Sequence, residues 1–141
     1  MESNERRQRE IDVLGDKIRV LITGIETNGS YEILEFTSQQ LCGPPPHSHP
    51  WSEASFILEG ELEVTCEGQT SRVSAGGFVS VRAGQIHTYR VVSPHARFLV
   101  FATPSGVYPF LEELARETQG LPEDPAKILD VSSKHSVSVV C

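Results

Sequence analysis

Between Lys17 and Thr103 the chain is a succession of short segments in which apolar and polar residues alternate, each closed by a turn. Ile18, Val20 and Ile22 alternate with Lys17, Arg19 and Leu21, and a second run from Tyr31 through Ile33 to Phe36 follows Asn28-Gly29. Successive side chains of an extended strand point to opposite faces, so a period of two is the mark of a half-buried sheet. Asn-Gly between two β-prone runs predicts a hairpin. Further runs at 53–58, 61–66, 70–74, 78–82, 86–92 and 96–102 are separated by Glu59-Gly60, Glu67-Gly68, Gly76-Gly77, Ala83-Gly84 and Ser93-Pro94. About eight short strands with no helical pattern between them exclude βαβ units and predict an all-β sandwich or barrel.

The pattern changes after Pro104. Val107, Phe110, Leu111, Leu114 and Ala115 recur at helical spacing, with Glu112, Glu113, Arg116 and Glu117 on the other side, and Gly120 and Pro122 end the helix. Asp124-Pro125 opens a second short helix, Asp124 as N-cap and Pro125 at the first helical position. The tail from Ser136 to Cys141 alternates again and can form a short strand. The expected organisation is an N-terminal tail at 1–15, a barrel at 16–104 and a helical arm at 105–141 packing on the barrel.

A chain of 141 residues fits one domain and buries a core without disulfides. Twelve Lys and Arg against 19 Asp and Glu give a net charge of −7, and only Arg6, Arg7 and Arg9 cluster. Nucleic acid is therefore not an expected partner, since phosphate binding needs a basic face. Nor is a membrane, for no apolar run approaches the roughly 20 residues of a spanning helix. MESNERRQRE lacks the apolar core of a signal peptide, so a cytoplasmic location is expected. Cys42, Cys66 and Cys141 form no CxxC pair and read as free thiols, Cys66 as a small core residue.

Three of the five histidines fall in two glycine-bracketed segments, Gly43 to Gly60 and Gly76 to His87. On a strand His47 and His49 point to one face, and Glu53 keeps that parity provided Pro50 does not reset it. His87 from a neighbouring strand completes three imidazoles and a carboxylate, a donor set that suits Mn, Fe, Co, Ni, Cu or Zn without choosing among them. His95, after Ser93-Pro94, and His135 read as ordinary surface residues.

The order His47-x-His49-x3-Glu53-x6-Gly60, then Gly76 to Gly84 and on to His87, resembles the two cupin motifs. The resemblance implies a double-stranded β-helix, the cupin jelly-roll barrel, with a short C-terminal helical arm. It also implies one divalent transition metal held by His47, His49, Glu53 and His87. Three positions depart from the motifs: Leu41 stands at the first motif's leading Gly, Arg82 at the second motif's Pro and Val91 at its terminal Asn.

The inward faces of the strands predict a mostly apolar pocket with Phe36, Trp51, Tyr89 and Phe101 on its walls, suited to a small organic molecule. Trp51 also reads as a packing residue at the barrel mouth. The arm, Pro104 to Phe110 and then Pro122 to Ala126, is similar to that of quercetinase-like single-domain cupins. That resemblance implies a dioxygenase acting on an aromatic or polyphenolic enol, with Glu53 as metal ligand and catalytic base. Two other functions compete: a Zn-dependent polyketide cyclase or isomerase of the cupin type, and a non-enzymatic cupin that binds a small ligand. Open sheet edges at 17–26 and 136–140 predict a homodimer.

Overall fold

The computed structural model describes residues 9–119 and 124–140. Eleven strands and two helices follow in the order β1 (Arg9–Val13), β2 (Asp16–Ile22), β3 (Glu32–Gln39), β4 (His47–Ser48), β5 (Ser52–Glu59), β6 (Glu61–Cys66), β7 (Gln69–Ser74), β8 (Phe78–Val81), β9 (His87–Val91), β10 (His95–Thr103), α1 (Val107–Thr118), α2 (Pro125–Lys134) and β11 (Ser138–Val139). The strands make two antiparallel sheets, β1-β2-β3-β10-β5-β8 and β11-β4-β9-β6-β7, packed face to face as a jelly roll. The all-β architecture with two short helices is the one the sequence predicts.

Residues 9–13 do not belong to a tail. They pair with β2 from Arg9↔Val20 to Val13↔Asp16, and β1 rather than β2 is the edge of the larger sheet. The charge-rich stretch hides the strand, since Val13 is its one fully buried side chain and Ile11 its one half-buried side chain. The remainder of the expected tail, residues 1–8, lies outside the described residues, as do Gly120 to Glu123 and Cys141. Asn28 and Gly29, with φ of 60° and 84°, both take the left-handed conformation and turn the connection between β2 and β3.

Inward positions of the two sheets meet in one core that includes Ile18, Val20, Leu34, Phe36, Ile57, Leu62, Val91, Phe98 and Val100. Phe36 stacks on Phe98 at 5.3 Å and Tyr89 meets Phe98 edge-on at 5.5 Å, so these rings fill the barrel. Each such ring contributes about 2–3 kcal/mol of burial. The Tyr89 hydroxyl donates to Asp16 Oδ2 at 3.1 Å, and burial together with that carboxylate pushes its pKa well up.

Helix α1 has no cap of its own; Gly106 precedes it with φ of 152° and offers no side chain. The cap comes from β3. Glu32, 1% exposed, accepts from the Gly106 and Tyr108 N–H groups at 3.0 and 2.9 Å through Oε1, and from the Gly24 N–H at 3.1 Å through Oε2. A buried carboxylate thus satisfies two of the four orphan donors of the helix and ties the arm to the barrel. In α2 the Asp124 side chain caps the Lys127 N–H, with Pro125 in the first turn, as the sequence predicts.

The three motif departures have local explanations. Leu41 sits at φ 69°, a conformation glycine adopts freely. Gly43 lies so close to β9 that an added Cβ would overlap the Tyr89 carbonyl. Arg82 uses the N–H that a proline lacks, donating to Gln85 Oε1 at 2.8 Å to close its turn. Val91 is fully buried core.

Candidate metal centre

Pro44, Pro45 and Pro46 deliver an extended chain into the two-residue strand β4, where His47 pairs directly with His87 of β9. The chain then leaves the five-stranded sheet at His49 and Pro50 and enters the six-stranded sheet at Ser52. Glu53 therefore does not share a strand with His47. It stands on β5 between Val81 and Ala102, in the opposite sheet. The crossing at Pro50 carries the carboxylate over the barrel mouth.

The rings of His47, His49 and His87 gather with centroids 4.4–5.4 Å apart, and one ligand atom from each lies within 4.8 Å of the others. Among the described residues this three-histidine group does not extend to Glu53, whose Oε1 nonetheless lies 3.3 Å from His49 Nε2. Each imidazole is oriented the same way. Nδ1 meets a backbone carbonyl two residues away: Pro45 for His47 at 2.9 Å, Trp51 for His49 at 2.8 Å and Gln85 for His87 at 2.9 Å. A carbonyl only accepts, so Nδ1 carries the hydrogen and Nε2 of the neutral ring presents a lone pair. Carbonyl-anchored imidazoles of this kind are the usual setting of histidine metal ligands.

His49 is 4% exposed, and its Nε2 is buried without a hydrogen-bond partner. Facing Glu53 Oε1, it sets one lone-pair atom against another with no donor between them, an arrangement that only a proton or a cation relieves. The donor set and this orphaned nitrogen fit a divalent transition metal. Burial, with the neighbouring imidazoles, lowers the His47 pKa to about 4, and burial lowers that of His87. Burial alone would raise the Glu53 pKa; His49 when its Nε2 also carries a proton, together with the Trp51 indole, outweighs it and holds the carboxyl below its ordinary value.

Trp51 is a positioning residue. Its Nε1–H donates to Glu53 Oε1 at 2.9 Å, its ring stacks on His49 at 4.5 Å with a 9° interplanar angle, and Phe110 of α1 packs against it at 6.2 Å. A Cβ at Gly106 would come within 3.3 Å of the indole. The helical arm thus holds the indole, and the indole holds the carboxylate. Of the other expected pocket residues, Phe36 is core and Tyr89 is partly buried with its hydroxyl directed to Asp16. Phe101 is misplaced by the sequence reading. It is 41% exposed and stacks on Tyr31 at 5.5 Å on the outside of the sheet, because Ala96, Phe98, Val100 and Ala102 take the inward parity of β10. His95 pairs with Glu59 at 3.2 Å, while the partly buried His135 pairs with Glu113 at 3.1 Å.

Cys66 pairs with His87 across β6 and β9, so its thiol shares the inner face beside the imidazoles and is only partly buried. Alternation with Leu62 and Val64 signals that inward face, but only the register shows its neighbour.

Residues 37–102 match the Cupin domain family model. Quercetin 2,3-dioxygenase of Bacillus subtilis is 24% identical over 108 residues, which are 75% of this chain and 32% of that protein. The chain thus spans about a third of that relative. The polyketide cyclase RemF of Streptomyces resistomycificus is 25% identical with a TM-score of 0.62, covering 74% of this chain and 80% of that one. KdgF of Halomonas sp. is 17% identical with a TM-score of 0.65, over 74% of this chain and 94% of its own, a likeness of fold.

Proposed function

Because this chain belongs to the cupins, through a domain spanning residues 37–102, we propose that it is a metal-dependent cupin enzyme. In this reading His47, His49, His87 and Glu53 hold one divalent transition metal, and the protein is a quercetinase-like dioxygenase acting on an aromatic or polyphenolic enol. The observation that carries the proposal is the convergence of three carbonyl-anchored imidazoles, one with a buried and unpartnered Nε2, beside an indole-held carboxylate.

A bound metal supplies Lewis acidity to a chelating enol and, where it is Fe, Mn, Co, Ni or Cu, a path for electrons to dioxygen. The protein does the rest. The carbonyls of Pro45, Trp51 and Gln85 hold the three imidazoles in the ligating tautomer. Glu53, kept ionised by its surroundings, accepts the substrate's enol proton at the oxygen that Trp51 does not engage. Val81 and Ala102, both buried, pair with Glu53 on either side of β5 and fix its place in the sheet.

A Zn-dependent cyclase or isomerase is the second reading, favoured by the likeness to RemF over most of that protein's length. Both readings take the molecule as a homodimer with a small aromatic substrate. An oxygen electrode separates them. Protein loaded in turn with Fe, Mn, Co, Ni, Cu and Zn is given a flavonol, and oxygen uptake should match loss of flavonol absorbance mole for mole. Absence of uptake with every metal overturns the dioxygenase, and oxygen-independent closure of a poly-β-ketone would support the cyclase.

A further inference from the structure

Arg82 stands where the second motif has its Pro, and the turn explains only part of that exchange. Closing the turn takes a backbone N–H, which any residue but proline supplies, so the guanidinium is left without a task. Among the described residues, Arg9, Arg19, Arg72, Arg90, Arg97 and Arg116 each bind a carboxylate at 3.1–3.5 Å. Arg82 is exposed and, among those residues, has no such partner.

That arginine stands on a rigid base beside the metal centre. Val81, just before it, is the cross-strand partner of Glu53. Every backbone N–H from Arg82 to Ile86 is engaged. The acceptors, in order, are Gln85 Oε1 at 2.8 Å, Ser52 Oγ at 3.1 Å, the His49 carbonyl at 2.9 Å, the Arg82 carbonyl at 3.1 Å and Glu67 Oε1 at 2.9 Å. The Gln85 carbonyl in turn holds His87 Nδ1. The β8–β9 connection is thus tied to two of the proposed ligands, and the Arg82 backbone keeps a fixed place beside them. Its charge reaches the inner face as well. Burial, with Glu67, raises the pKa of the Cys66 thiol, and Arg82 opposes them; Cys66 is the partner of His87 across β6 and β9.

We propose that Arg82 is a specificity-determining residue that pairs with a carboxylate of the substrate. The inference rests on the metal-dependent enol reading above and narrows its substrate to an acid, one that chelates the metal through its enol and presents a carboxylate at the barrel mouth. Charge favours this. Three neutral imidazoles and an ionised Glu53 around a divalent cation leave one positive charge, which an enolate cancels. A second anionic group then finds the unpaired guanidinium of Arg82. Geometry favours it too, since the planar guanidinium donates two parallel N–H groups to one carboxylate. A phosphate monoester would bring nearly two charges to a single guanidinium near Glu67, in a chain of net −7, so a carboxylate is the better match.

The test is binding to the full-length, metal-loaded protein, read by quenching of Trp51, the chain's one tryptophan. The probes are 3-hydroxyflavone and its 3′- and 4′-carboxylates, which share the chelating enol and differ in the anion. At low salt one carboxylate should bind roughly 5- to 10-fold more tightly than 3-hydroxyflavone, the scale of one well-oriented, partly solvated charge pair. The preference should shrink as salt rises. Arg82→Gln should abolish it while binding 3-hydroxyflavone as the wild type does, and Arg82→Lys should keep part of it. Arg90→Gln removes an equal charge held by Glu63 and should leave the preference intact. Wild type that gains nothing from either carboxylate, or a preference that survives Arg82→Gln, overturns the role of Arg82 while leaving the enol reading standing. If none of the three probes binds with any metal, the enol reading falls and this inference falls with it.

Discussion

Glu53 has two separable roles, oxygen donor and proton acceptor, and Glu53→Gln divides them. The amide keeps an oxygen that Trp51 can still engage but no longer takes up a proton. If Glu53 is the base, metal content stays near one per chain while turnover falls by roughly 10²–10⁴. Wild-type turnover with full metal would remove Glu53 from the chemistry. Leu41 offers a test away from the site. Its left-handed backbone costs about 1–2 kcal/mol that glycine does not bear, partly offset by the chain entropy glycine adds to the unfolded state. Leu41→Gly should therefore raise stability by about 0.5–1 kcal/mol in chemical denaturation, and a loss instead would show that the leucine side chain contributes packing. All four proposed ligand residues stand out in the sequence because the motifs fix their spacing. The route by which Glu53 reaches the others does not, because Pro50 breaks the strand and period two cannot be carried across a change of sheet. Phe101 fails for a related reason. From Phe98 to Ala102 every residue is apolar, so alternation alone does not say which ones face inward.

Among the elements, α1 has the least obvious support. Its apolar spacing is plain in the sequence, yet the residue that holds its N-terminus is Glu32, seventy-odd positions earlier in an alternating strand where an acidic residue reads as solvent-facing. Three backbone donors meet that carboxylate, and Glu32→Ala leaves all three without it. The expected loss is about 3 kcal/mol, the scale of buried donors deprived of a charged acceptor. The consequence should reach the site. α1 holds Trp51 through Phe110 and Gly106, and Trp51 is the chain's one tryptophan. In Glu32→Ala its fluorescence should shift to the red as the arm loosens and the indole meets water. An unchanged emission maximum in a destabilised variant would separate the arm from the indole. Edge strand β1 escapes the sequence for the opposite reason, because three charged residues in five dilute its alternation.

Across the whole molecule the proposed ligands join parts that are distant in sequence and belong to both sheets. His47 comes from β4, His87 from β9, Glu53 from β5 in the facing sheet, and His49 from the connection between the sheets. β4 is only two residues long and is flanked by β9 and by β11 from the end of the arm, so its own ladder holds it weakly. A ligand that binds only the folded state stabilises it by RT ln(1 + [L]/Kd), about 4 kcal/mol at a thousandfold excess over Kd. For a domain of this length that corresponds to a rise in Tm on the order of 10 °C. Metal should therefore raise Tm by about that amount, and a chelator should return it to the metal-free value. In H47A/H49A the dependence should vanish, since two of the four ligands are gone, while the barrel, whose core lies deeper around Phe36 and Phe98, still folds. Because the indole stacks on His49 and donates to Glu53, Trp51 emission should change on metal addition in the wild type and not in the double variant. A metal-dependent Tm that persists in H47A/H49A would mean that the ion binds elsewhere, and the three-histidine assignment would fall with it.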